Sequence, residues 1–170
     1  MRFAERTLPG AWEPWKSGLP VAAPGHTYGG VVRYSGNTKP PQKDKSNLGQ
    51  DLKINPQVYQ QGMGVPAPCE LATEIKPEYK RFVGLAGADE NLISISNGSN
   101  LAKYPSVLFK VFIDGQQTSA SPVMRVLSPA WRFDVEISHG ARIISLAATD
   151  AGDGSREDFA DWANAGFITK

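Results

Sequence analysis

The segment DAGDGSREDFADW, Asp150 to Trp162, places five carboxylates, one guanidinium and one tryptophan directly after the apolar run Ile143–Ala148. Side chains of these types can hold a polar ligand or a hard cation, or serve a demanding piece of loop architecture. Asp and Gly favour turns, and loops held by a rigid scaffold are where binding groups usually sit. The candidate ligand-binding residues are therefore Arg156, Asp158, Asp161 and Trp162. Two of them also have structural readings. Trp162 can serve as a core anchor, since a large aromatic stabilises most when buried, and Asp161 can cap a turn through backbone N–H groups.

Calcium needs several oxygen donors, which carboxylates and loop carbonyls supply. Asp89, Asp150 and Asp153 are the candidate metal ligands, with Glu90 and Asp158 as further donors if the two loops converge. The segment lacks the alternating Asp/Asn ligands and the closing Glu of a helix-loop-helix calcium site, so the expected site is irregular and built from more than one loop.

Other chemistries fit less well. Cys69 is the single cysteine, which excludes an internal disulfide and a cysteine-rich zinc site. A small buried hydrophobe is its natural role. His26 and His139 are the two histidines, and neither stands in a nucleophile motif. Nothing marks a buried, pKa-raised general acid for a glycosidase pair, and Gly84, Gly87 and Gly98 form no nucleotide fingerprint. The chain reads as non-enzymatic. Its 18 Lys and Arg nearly balance 17 Asp and Glu, so no field of one sign draws nucleic acid or anionic lipid. No apolar run approaches a membrane span and the N-terminus carries no secretory h-region, so the chain reads as soluble, with any export signal removed before it begins.

A scaffold must hold these groups. Residues 1–50 are dense in Gly, Pro and polar residues and read as an irregular arm with one or two short strands. Trp12 and Trp15 are expected to anchor that arm by burying large apolar area. From 51 to 170 the pattern becomes short period-two runs: Leu71, Thr73, Ile75; Val107, Phe109, Val111, Ile113; Phe133, Val135, Ile137; and Ile144, Leu146, Ala148. Asp114-Gly115 is a strong hairpin signal between them. Such strands without an amphipathic helix predict an antiparallel β-sandwich. Gly62-Met63-Gly64 reads as tight-turn or bulge geometry.

The ordered motifs GMGVPAPCEL (Gly62 to Leu71), YKRFVGLAGADE (Tyr79 to Glu90), VLFKVFIDG (Val107 to Gly115), SPVMR (Ser121 to Arg125) and DAGDGSREDFADWANA resemble the NPCBM family of carbohydrate-binding modules, which overlaps carbohydrate-binding module family 51. The resemblance runs from about Asp51 to Phe167. It implies an all-β jelly-roll sandwich of the galactose-binding-like type, a non-catalytic module that binds galactose-like or polysaccharide glycans, often a structural calcium, and a secreted, periplasmic or cell-surface parent protein. Two positions depart from the family pattern. Pro66 and Phe159 stand where relatives commonly carry histidine, and neither side chain can exchange hydrogen bonds with hydroxyls. The alternative reading is a sandwich that has lost sugar binding and serves interaction or assembly, with the arm docking on a protein partner.

Overall fold

A computed structural model of the chain describes residues 41–91, 106–151 and 159–169 in full, and the backbone of 12–14 and 32–34. Every regular element in the described residues is a strand. They are β1 (Trp12–Pro14), β2 (Val32–Tyr34), β3 (Gln42–Lys43), β4 (Leu52–Ile54), β5 (Gln57–Tyr59), β6 (Gly62–Pro66), β7 (Cys69–Glu74), β8 (Arg81–Ala88), β9 (Leu108–Ile113), β10 (Gln116–Ala120), β11 (Trp131–Glu136), β12 (Ile143–Thr149) and β13 (Phe159–Ile168).

Period two determines which face each strand buries. In β12, Ile144, Leu146 and Ala148 are buried while Ile143, Ser145, Ala147 and Thr149 are partly exposed. Phe109 and Val111 of β9 and Phe133 and Val135 of β11 repeat the pattern. Each such strand needs a second apolar face, and two antiparallel sheets supply it. One runs β11-β8-β13-β6-β3, with β1 also pairing β13; the other runs β10-β9-β12-β7-β2. Together they form the antiparallel sandwich that the alternation predicts, with the jelly-roll form that the family resemblance implies. The Asp114-Gly115 turn joins β9 to β10 with positive φ at both residues, 49° and 80°, the backbone that a two-residue hairpin requires.

Between the sheets the core centres on Trp162, which is fully buried. Phe109 meets its indole edge-on at 5.1 Å, Phe133 lies tilted at 5.4 Å, and Phe82 approaches at 6.5 Å. A third layer covers the outer face of the larger sheet. Leu52, Ile54 and Tyr59 from the β4–β5 hairpin pack there on Leu85 and Ala163, forming a second small core.

The Gly/Pro-rich stretch at the N-terminus contributes β1, β2 and β3, which pair with β13, β7 and β6. Within the arm it is these backbone ladders that reach the sheets. The side chain of Trp12 and the whole of Trp15 lie outside the described residues.

Candidate functional site

Connectivity defines one end of the sandwich as a loop end. Strands β6, β8, β10 and β12 finish there, and β7, β9, β11 and β13 begin there, as the antiparallel registers require. The acidic segment between β12 and β13 enters this end, but Asp153, Arg156 and Asp158 lie outside the described residues. Asp150 is partly buried at the end of β12.

The two remaining ligand candidates do not face solvent. Strand alternation in β13 turns Ala160 and Trp162 inward and Phe159, Asp161 and Ala163 toward the third layer. The Trp162 ring has no exposed face on which a sugar could stack; its role is the core anchor. Asp161 is also fully buried, for a reason the registers make plain. Its Cα partners on both sides are glycines, Gly64 of β6 and Gly87 of β8. A Cβ at Gly64 would collide with the carbonyl of Lys45 and with Ser46, and one at Gly87 with Ile54. The missing side chains let the 44–51 loop and β4 close over the carboxyl group. The expectation of turn or bulge geometry at Gly64 is thus corrected: the residue sits within β6 without a positive φ, and close approach is what requires glycine there.

Asp161 Oδ2 accepts a hydrogen bond from the Lys53 N–H at 3.0 Å. Asp89, fully buried at the end of β8, bonds to the Asp161 side chain and to the Ser46 hydroxyl. Its Oδ1 accepts from Asn91 Nδ2 at 2.9 Å. One oxygen of each acid, Asp161 Oδ1 and Asp89 Oδ2, has no hydrogen-bond partner among the described residues. Two ionised carboxylates in contact out of water repel strongly, so the pair must share a proton or face a cation. Burial, and then the Asp89 charge, holds the Asp161 carboxyl well above the usual carboxylate range; burial likewise raises Asp89. Among the described residues no three Cys, His, Asp or Glu side chains form a metal cluster. A cation here would take Asp89 and Asp161 together with oxygens of the 44–51 loop.

The open surface of the loop end carries the apolar groups instead. Val123, Leu127 and Trp131 are 46 %, 66 % and 39 % exposed, and all three belong to the β10–β11 connection or the start of β11. Asn55 Nδ2 donates to the Leu127 carbonyl at 2.9 Å and ties this connection to the β4–β5 hairpin. Trp131 pairs with Ala86 near the end of β8, two strands and about 10 Å from β13. Sequence reading concentrated on the acidic segment and passed over this tryptophan. Its signal was the proline-containing SPVMRVLSPAW stretch, where several large apolar residues follow one another without alternation.

A protein-family model described as the NPCBM/NEW2 domain matches residues 29–168, most of the chain. The chain belongs to the NPCBM/NEW2 family. Solved structures agree. The NPCBM chain superposes with TM-score 0.71 and 25 % identity on a Clostridium perfringens ZmpB structure containing CBM51-2 in complex with GlcNAc and INT domains, over 82 % of this chain and 29 % of that one. It matches the CBM51 of C. perfringens GH95, solved with methyl-galactose, with TM-score 0.68 and 23 % identity over 81 % of this chain and 92 % of that one. A curated Renibacterium salmoninarum protein named "Putative endo-alpha-N-acetylgalactosaminidase" is 25 % identical over 148 residues, 87 % of this chain but 9 % of its own length. The NPCBM chain thus spans a small part of the curated relative it matches and has the sandwich of a carbohydrate-binding module.

Proposed function

We propose that this NPCBM domain recognises terminal N-acetylhexosamine or galactose-type sugars without catalysing their cleavage, and that it does so at the loop end. Trp131 carries the reading. An exposed indole at the start of β11 offers an apolar face at little entropic cost, and Leu127 and Val123 are exposed on the connection that leads to it. Family membership and the GlcNAc complex of the ZmpB structure support the sugar class. The parent protein would act outside the cytoplasm, where such glycans are met. Glycan-array screening followed by calorimetric titration with GlcNAc, GalNAc and methyl-galactoside tests the proposal. Binding that Trp131→Ala weakens about tenfold would support it. Absence of binding to every sugar at millimolar concentration would refute it.

Calcium is proposed as a structural ion at the Asp89–Asp161 pair. Two buried carboxyl groups, each with an oxygen lacking a partner among the described residues, fit a hard cation, and the Lys45 carbonyl beside Gly64 is a further oxygen there. Calcium would neutralise the pair and fasten the 44–51 loop to β8 and β13. Of the other expected ligands, Asp150 directly follows β12 of the opposite sheet.

One observation favours a second reading, that of an interaction domain. Pro66 and Phe159 together form an apolar step where relatives tend to carry imidazoles. Under that reading the loop end takes a protein surface, and the sugar titrations remain flat.

A further inference from the structure

An open trough of about 990 Å³ runs along the outer face of the five-stranded sheet, on a flank of the sandwich remote from the Asp89–Asp161 pair. Its floor is β12, where Ser145 and Ala147 are small enough to leave the sheet nearly bare. Phe112 of β9 is the Cα partner of Ser145 and stands partly exposed on one side. On the other side Glu70 and Glu74 of β7 are partners of Ala147 and Ile143. Arg142 is exposed at the far end of the floor, where Asp114 accepts its backbone N–H at 3.0 Å.

These groups limit the occupant. The described lining holds Glu70, Glu74 and Asp114 against Arg142, and Lys110 stands on the same face as the Cα partner of Ala147, so the trough carries no basic field of the kind that draws nucleic acid. A protein-docking face needs large apolar anchors, and Val58, Val123, Leu127 and Trp131, the exposed large hydrophobics among the described residues, all lie elsewhere. What remains is a shallow polar trough with a single aromatic wall, which suits a sugar ring seated on Phe112 with hydroxyls donating to carboxylates. Glu70 and Glu74 are four residues apart on one strand, so their Cα atoms stand about 13 Å apart. One sugar ring cannot bridge them.

We infer that the outer face of the five-stranded sheet is a second glycan-binding surface, specific for a neutral oligosaccharide chain, with Phe112 as its stacking platform and Glu70 and Glu74 as hydroxyl acceptors. This inference rests on the reading of the domain as a glycan binder, but not on where the first site lies.

The test is an amide-resolved NMR titration of the full chain with N-acetylglucosamine and its β-1,4 tetramer, and with galactose and its β-1,4 tetramer. A tetramer is expected to shift the amides of Phe112, Ser145 and Ala147, which the monosaccharides leave in place. Phe112→Ala and Glu70→Gln should each weaken that response about tenfold while loop-end shifts stay unchanged. Glu70→Gln preserves shape, so it keeps the test open should Phe112→Ala fail to fold. Tetramers that move only loop-end amides overturn the second surface and leave the loop-end reading intact. Groove shifts without loop-end shifts support the second surface and remove the loop-end reading, whereas a chain unmoved by any of the four sugars loses both.

Discussion

Phe159 and Pro66 face one another as Cα partners across β13 and β6. The two positions at which the sequence departs from what the resemblance implies are therefore neighbours in one place. Two positions where the family resemblance implies imidazoles are here adjacent apolar residues beside the buried acids, since the Phe159 carbonyl also accepts the Asp89 N–H at 3.0 Å. Restoring one imidazole tests what the pair contributes. Phe159→His is expected to tighten binding of methyl-galactoside or GlcNAc about threefold to tenfold, the effect of one added hydrogen bond, as read by calorimetry. An unchanged affinity would show that this pair lies outside the sugar contact.

Trp162 and Trp131 should separate cleanly in their effects. Trp162→Ala empties the centre of the aromatic core and is expected to lower stability by about 3–5 kcal/mol in urea unfolding. Trp131→Ala removes an exposed ring and should change stability by less than about 0.5 kcal/mol while weakening sugar binding. If the Trp131 variant unfolds as readily as the Trp162 variant, the surface assignment is wrong.

The buried acids predict an unusual pH dependence. Asp161 is held above its ordinary range first by burial and then by Asp89. A carboxyl group raised in the folded state gives stability that is complete below its unfolded value, about pH 4, and is lost as pH rises through the folded value. Calcium-free protein should thus gain melting temperature on acidification from pH 7 toward 5. At pH 7, calcium at about 100 times its dissociation constant should restore some 2.7 kcal/mol. Asp161→Asn is expected to flatten both responses, and a melting temperature that falls on mild acidification in chelator would contradict the account.

Gly64→Ala offers a purely steric test. The added Cβ would strike the Lys45 carbonyl and the Ser46 backbone, neither of which is a flexible side-chain end, so the 44–51 loop must lift. A loss of about 1–3 kcal/mol is expected, accompanied by faster exchange of the Gln50 and Lys53 amides, which bond to Ser46 and Asp161. Unaltered exchange at those amides would mean that the loop is not seated by the glycine.

Sequence reading recovered the sandwich because its strands have one wet face, and Phe133, Val135, Ile144 and Leu146 record the period-two burial directly. It failed at β13, where nearly every residue is buried because both faces of the strand are covered. Alternation disappears in that case, and FADWANAGFI reads as a polar motif although its acid is enclosed. Asp161 was singled out for its chemistry, but its enclosure depends on Gly64 and Gly87, which are distant in sequence and meet it only through register. Trp131 was missed for the converse reason. Tryptophan is expected inside, and only the position of Ala86 at the end of β8 shows that this one stands at the rim.

The place of β13 also bears on how the molecule is made. The last described strand lies between β8 on one side and β6 and β1 on the other. During synthesis the facing edges of β8 and β6 therefore stay open until β13 leaves the ribosome. A chain stopped short of Phe159 would carry two unsatisfied strand edges and no Trp162 to fill the space between the sheets, a form prone to pair with its neighbours. Closure of the larger sheet accordingly depends on β13, the strand that joins β8 to β6.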